Sequence, residues 1–333
     1  MNPLFLRQQQ LHTWINQETN FQCTELQMIS GDASFRRYFR FLSNGSWIIA
    51  VDAPPEFEDC SKFIEVAKSY RRAGVLVPEV YCYDLQHGFY CQQDFGDRQF
   101  SQALNEQTCT QLYQKALACI PAIQSCLATA SGSLPLYDHA FVQRELTIFT
   151  EWLLDEYLKL PLSSEQSLLI NNTFQFLTEE FLSQPVAGVH RDFHSRNLML
   201  IEQDEIGVID FQDAVVGPIT YDAVSLLRDC YQMWPVNLVD TWLQQWHAEF
   251  YAEYDWRQFK RWFDFTGMQR HIKASGIFAR LHLRDHKSVY LYDIPRTLGY
   301  LVTVGRSYAE LTAFSEFIEN TVLPSVTTKQ KDS

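Results

Sequence analysis

At 333 residues, with 46% hydrophobic and 20% charged residues, the chain has the composition of a folded globular protein and enough length for two lobes with their own cores. A formal net charge of −13 argues against nucleic acid and against an anionic membrane surface as partners. No apolar stretch approaches the ~20 residues that span a bilayer, and residues 1–10 carry neither the basic start nor the apolar run of a secretion signal.

Residues 11–18 read as a short helix, with Leu11, Trp14 and Ile15 on one side. Residues 38–42 and 47–51 read as two strands joined by Ser43-Asn44-Gly45-Ser46, because Asn-Gly supplies the positive φ angles of a tight hairpin. Pro54-Pro55 ends the second strand. A helix is predicted over about 60–73, with Phe63, Val66, Ala67 and Tyr70 at helical spacing and Gly74 and Pro78 marking its end. Strands follow near 79–83 and 88–93. After Gly96 the pattern becomes mainly helical. Ile170, Phe174, Leu177 and Phe181 recur at helical spacing before an apolar strand pair at 198–201 and 206–209, which turns about Gln203-Asp204. Helices are predicted from Asp222 to about Leu323, and the polar tail after Ser325 is expected to fray.

This pattern predicts an α+β, two-lobed, protein-kinase-like fold, with a small β-rich N-lobe (1–97) and a larger, mainly helical C-lobe (98–333). The hinge falls near Gln93–Asp97, where Gln93 and Asp94 are cofactor-binding candidates. None of the eight cysteines forms a C-x-x-C pair. Most sit in apolar runs, which predicts reduced thiols and a cytoplasmic location.

The chemistry concentrates in His190-Arg191-Asp192-Phe193-His194-Ser195-Arg196-Asn197, followed by Ile209-Asp210-Phe211. Asp192 is a candidate general base, Asn197 stands five residues on, and Asp210 stands eighteen after Asp192. A carboxylate that orients a hydroxyl, with an amide and a second carboxylate offering hard oxygens to Mg²⁺, forms a phosphoryl-transfer constellation. His190 and His194 are four apart, but they lie in a predicted loop with no glutamate after His190, so loop hydrogen bonding is the reading preferred over a metal pair. His282 and His286 share that spacing on a helix face. Asp222 starts a helix and has a structural role, as cap or as brace of the loop. Asp213 is a further carboxylate near the metal candidates.

The runs at 190–199 and 208–222 resemble the aminoglycoside phosphotransferase superfamily, whose signature there is H-x-D-x-H-x-x-N and I-D-x-x-x-A. Residues 31–40, 51–55, 188–199, 207–230 and 276–286 narrow the resemblance to bacterial kinases that phosphorylate N-acetylmuramate and N-acetylglucosamine at the anomeric position. The resemblance implies ATP and Mg²⁺ as cofactors and a small amino sugar as substrate. It implies α-1-phosphate products in peptidoglycan recycling towards UDP-N-acetylmuramate, with Asp192 as base and Asn197 and Asp210 as metal ligands.

The chain departs from the kinase pattern in two places. The loop Gly31-Asp32-Ala33-Ser34-Phe35 has one glycine where three are usual, so Ser34 and backbone N–H groups are left to meet the phosphates. The third strand ends in Asp52 where a lysine is expected, and a carboxylate cannot hold the α- and β-phosphates. Arg36, Arg37, Arg40, Lys62 and Lys68 are the nearby cations, and Arg36 or Arg37 is the expected clamp. For the sugar, Arg144, Glu145, Phe149 and Trp152 on one helical stretch, and Arg270, His271, Lys273, Arg280 and Arg284 on another, are candidates. Of these, Arg144, Glu145, Trp152 and Arg280 are preferred. An arginine suits a lactyl carboxylate, and an aromatic suits a sugar face. Two other readings stay open. One is a kinase for an aminoglycoside, choline or an amino alcohol, with Glu145, Asp155 and Glu156 supplying an acidic pocket. The other is a silent pseudokinase acting as a binding module. The oligomeric state is left open.

Overall fold

The computed structural model describes residues 3–30 and 35–331. By packing, the chain divides into two compact units. The first is Met1–Ala103 with Ala128–Ser133 and Asn197–Asp213, and the second is Leu104–Leu127, Leu134–Arg196 and Ala214–Ser333.

The first unit is built on a five-stranded antiparallel sheet. Its strands are β1 (Gln27–Ser30), β2 (Arg37–Ser43), β3 (Ser46–Asp52), β4 (Val80–Asp84) and β5 (Phe89–Gln93), in the spatial order β1-β2-β3-β5-β4. The β2–β3 hairpin closes on Asn44 and Gly45, at φ 51° and 81°, with Ser43 opposite Ser46 and Arg37 opposite Asp52. Helix α1 (Pro3–Glu18) places Leu11, Trp14 and Ile15 against Phe39, Phe41, Ile48 and Phe89 of the sheet. It starts well before the predicted residue 11, because nothing in residues 3–10 breaks a helix and Arg7 finds a partner in Asp52. Helix α2 (Cys60–Arg72) is capped by Asp59, whose side chain accepts the Ser61 N–H, and it buries Phe63, Val66, Ala67 and Tyr70.

The second unit is mainly helical. Its elements are α3 (Cys109–Gln124), α4 (His139–Ile148) running into a π-helical stretch (Phe149–Tyr157), α5 (Ser164–Leu182), α6 (Tyr221–Leu227), α7 (Val236–Phe250), α8 (Trp256–Asp285) and α9 (Ile294–Gly305). Ile170, Phe174, Leu177 and Phe181 all face the core from α5, and a capping box of Ser163 and Gln166 starts that helix. This unit also holds an antiparallel pair that the helical reading missed, β6 (Val186–Val189) with β9 (Val215–Pro218). Short apolar runs of this kind carry no alternation to reveal them. Its Gly188 is needed, since a Cβ there would lie 2.3 Å from the Cys126 carbonyl oxygen.

Between β6 and β9 in the chain, and within the first unit, come β7 (Leu198–Leu200) and β8 (Ile206–Val208), paired with Gly207 opposite Met199. As far as residue 331 the tail is helical rather than frayed. Helix α10 (Leu323–Lys331) buries Val326, and Gln330 donates to the Leu291 carbonyl at 2.7 Å. The eight cysteines are free thiols. Among the described residues, no helix is long and apolar enough to cross a membrane.

Candidate functional site

The loop leaving β6 is held from beneath by two buried carboxylates. Asp222, in the first turn of α6, accepts the N–H of His190 at 2.8 Å and of Arg191 at 3.1 Å. Burial pushes its carboxyl up to about 7, against the pull of those two amides. Asp229 accepts the N–H of Ser195 at 2.9 Å and of Tyr231 at 2.8 Å. His190 is fully buried, and its Nδ1 lies 3.2 Å from the Asp192 amide, which donates to it. Arg191 sits at φ 76°, a left-handed backbone that a side-chain-bearing residue adopts at a cost of about 1–3 kcal/mol. Its amide bond to Asp222 and its guanidinium bond to Glu145 offset that strain.

Asp192 is half-buried within the second unit. Burial raises its carboxyl, but the charges of Lys273, His194, Arg191 and Arg270 outweigh burial and hold it below its ordinary value of 3.8. The carboxylate is therefore ionised at neutral pH, as a proton acceptor must be.

The cations around Asp192 are themselves arranged by Glu145 on α4. Its Oε1 accepts from Arg191 Nη2 at 2.7 Å and Lys273 Nζ at 3.1 Å. Its Oε2 accepts from Gln269 at 3.0 Å and from the Tyr137 hydroxyl. Lys273 also donates to the Tyr221 hydroxyl at 2.9 Å. Burial alone raises the Glu145 carboxyl, but Lys273 and Arg191 more than reverse it. Glu145→Ala leaves two buried cations without their anion, so a loss of about 3–5 kcal/mol is expected. It is read as a fall in the thermal midpoint. An unchanged midpoint would show that Arg191 and Lys273 find other partners.

The division between the units falls after Arg196, so Asn197 and Asp210 belong to the first unit. Asn197 Nδ2 donates to Asp210 Oδ2 at 3.3 Å, and the Ile209 N–H donates to the Asn197 carbonyl at 3.0 Å. Gln212 Nε2 donates to Asp210 Oδ1 at 2.9 Å and lies 3.5 Å from Asp213 Oδ2. Asp210, at φ 65°, is exposed. An exposed carboxylate beside a side-chain amide is a hard-oxygen donor set of the kind Mg²⁺ takes. Phe211 anchors the segment by stacking on Phe63, with ring centroids 4.6 Å apart.

Ser34 lies outside the described residues. Arg37 is committed to Asp52, with Nε at 3.0 Å from Oδ2, and Arg7 holds the other carboxylate oxygen at 2.8 Å. The odd carboxylate at the end of β3 is thus fully buried and neutralised by two arginines. Arg36 instead pairs with Glu58 at 2.9 Å, just ahead of α2, and its guanidinium lies 5.9 Å from the centre of the Phe63 ring. Asp94 pairs with Arg40 at 2.6 Å and accepts the Gly96 N–H at 2.8 Å, bracing the segment after β5. The Gln93 side chain meets the Glu79 amide at 3.4 Å.

In the second unit, Arg144 is exposed and lies over Phe141. Phe149 is core. His271 bonds the Arg228 carbonyl and stacks on Tyr300. A cavity of about 700 Å³ is lined by Glu151, Trp152, Asp155, Glu156, Leu283 and Arg284. Asp229, Glu58 and the Arg7–Asp52 pair were not picked out from sequence. For Asp229 the available signal was an acid just after the mostly apolar stretch 223–227.

With this fold and these residues, the chain belongs to the phosphotransferase enzyme family, whose model matches residues 25–262. Within that class, it is 38% identical over 299 residues to an N-acetylmuramate/N-acetylglucosamine kinase of Pseudomonas aeruginosa, covering 88% of each chain. It is 39% identical over 315 residues to a kinase of the same name from Neisseria meningitidis, covering 92% of this chain and 93% of the other. Among solved structures, an ethanolamine kinase of Plasmodium vivax superposes with a TM-score of 0.67 at 12% identity, over 91% of this chain and 90% of that one. An ADP-bound aminoglycoside phosphotransferase superposes with a TM-score of 0.58 at 16% identity, over 91% and 98%. These likenesses show the kinase-like α+β fold expected from sequence.

Proposed function

We propose that this phosphotransferase moves the γ-phosphoryl group of ATP to the anomeric C1 hydroxyl of N-acetylmuramate and N-acetylglucosamine. The α-1-phosphates so formed would serve peptidoglycan recycling in the cytoplasm. The observation that carries the reading is the shared name of three relatives at 35–39% identity, each matched over at least 88% of this chain. Kinases for choline and aminoglycosides match at 12–16% identity and speak for the fold alone.

In this reading Asp192 orients the sugar hydroxyl and takes its proton as the oxygen bonds to phosphorus and the bond to the β-phosphate oxygen breaks. Lys273, Arg191 and Arg270 keep that carboxylate ionised, and Glu145 holds Lys273 and Arg191 in place. Asn197 and Asp210 hold Mg²⁺, which when bound supplies charge neutralisation at the phosphates. Asn197 turns its amide nitrogen to Asp210 here, and with the amide turned over its Oδ1 would be the oxygen it offers the ion.

Arg36 rather than Arg37 is the phosphate cation: both are ion-paired, but Arg37 serves fully buried Asp52, while the partner of Arg36, Glu58, is partly exposed and Arg36 sits beside the Phe63–Phe211 stack next to Asp210. Arg36→Ala is expected to raise the KM for ATP by about tenfold or more, with nucleotide binding by calorimetry weakened in parallel. Unchanged ATP binding and turnover in this variant removes the assignment.

The function itself is tested by coupled ADP release with Mg-ATP on N-acetylmuramate, N-acetylglucosamine, glucose, choline and kanamycin, with ³¹P NMR of the product. An anomeric phosphate from the two N-acetyl sugars is expected. Turnover with choline or kanamycin alone would keep the kinase and discard the sugar.

A further inference from the structure

Arg280 is half-buried on α8. Among the described residues it makes no hydrogen bond or ion pair, and its Nε is buried without a partner. Arg191 has Glu145 and Arg228 has Asp264, while buried Arg270 meets the Cys230 thiol at 3.7 Å. A buried guanidinium nitrogen without an acceptor is unfavourable until something brings one. Burial, with the charge of Arg284 added, pulls its pKa down.

Its position can be traced along the seam between α8 and residues 145–157. Lys273 donates to Glu145 at 3.1 Å. One turn on, Gly276 lets the chain approach so closely that a Cβ there would lie 2.4 Å from the Ile148 carbonyl oxygen. Two turns further, Leu283 and Arg284 line the cavity with Trp152. Arg280 stands between the last two, on the same helix face as Lys273 and about 10 Å along the axis from it. Lys273 exerts the strongest of the charges that act on Asp192. Arg284 is already bonded to Asp285 at 2.8 Å, and the nearby cavity wall is acidic through Glu151, Asp155 and Glu156. Arg280 is therefore the cation on this face that an anion can still claim.

We infer that Arg280 receives the lactyl carboxylate of N-acetylmuramate and is the residue that favours this sugar over N-acetylglucosamine. The inference rests on the sugar-kinase reading above. With the anomeric hydroxyl at Asp192, the acid arm on C3 extends along α8 towards Arg280, whose planar fork matches a carboxylate. N-acetylglucosamine carries a hydroxyl at C3 and forms no such pair.

Initial rates of Arg280→Ala with N-acetylmuramate, its methyl ester and N-acetylglucosamine provide the test. The kcat/KM for N-acetylmuramate should fall about 10- to 100-fold, mainly through KM, with the other two sugars changed by less than about threefold. Arg280→Lys keeps a charge and should restore part of the N-acetylmuramate rate. Equal loss with all three sugars in both variants, or no loss with any, overturns the assignment. N-acetylglucosamine turnover by the variant reports a folded kinase independently of the carboxylate site. If the wild-type protein phosphorylates neither sugar, the sugar-kinase reading fails first and takes this one with it.

Discussion

Asp192→Asn is expected to lower kcat by about 10²–10⁴-fold with a smaller change in KM, the loss typical of a positioned base. The substitution keeps the shape and removes the charge. Asparagine accepts a hydrogen bond from the sugar hydroxyl but cannot take its proton. The surroundings sharpen the expectation. Lys273, His194, Arg191 and Arg270 hold the carboxyl below its ordinary value of 3.8, so the acid limb of the kcat profile should fall below that value. The sign follows from the direction of the shift. A depressed carboxyl stays ionised, and active, until the pH falls through its lowered pKa. The same variant takes an anion from among cations, so its thermal midpoint should also fall. Calorimetric ATP binding separates the two effects, since a folded variant still binds nucleotide. Turnover within tenfold of wild type in a folded Asp192→Asn protein would remove Asp192 from the chemistry.

What could be read in advance follows from how local each signal is. The β2–β3 hairpin was legible because Asn44-Gly45 specifies its own turn, and the observed register runs from Arg37–Asp52 to Ser43–Ser46. The run from His190 to Asn197 could be singled out because a candidate base and an amide at fixed spacing fit into eight residues. The braces were not legible. Asp222 reaches back 32 residues to the His190 amide, and Glu145 meets Lys273 128 residues away. A single sequence carries no record of such pairings. Glu145 was singled out as a sugar contact on its residue type, and the structure places both its oxygens on protein donors. The Asp52 anomaly is resolved by Arg7, which a helix starting at residue 11 left out of view. The β6–β9 pair escaped because its strands are four residues long and apolar on both faces.

Asp210→Ala is expected to reduce turnover by at least about 10³-fold, with added Mg²⁺ rescuing it poorly, because a metal ligand contributes several kcal/mol to phosphoryl transfer. Asn197 supplies a neutral oxygen at best, so in the proposed site Asp210 would be the anion that fixes the ion. Alanine also removes the acceptor for Asn197 at 3.3 Å and for Gln212 at 2.9 Å. It further places a residue with no polar side chain at φ 65°, at a cost of roughly 1–2 kcal/mol. Asp210→Asn separates charge from backbone, because asparagine tolerates the left-handed conformation and keeps one acceptor oxygen. If the charge is what matters, Asp210→Asn loses turnover nearly as fully as Asp210→Ala while its thermal midpoint stays close to wild type. If the backbone is what matters, Asp210→Asn is nearly normal, and the metal role passes to another residue, with Asp213 the first to test.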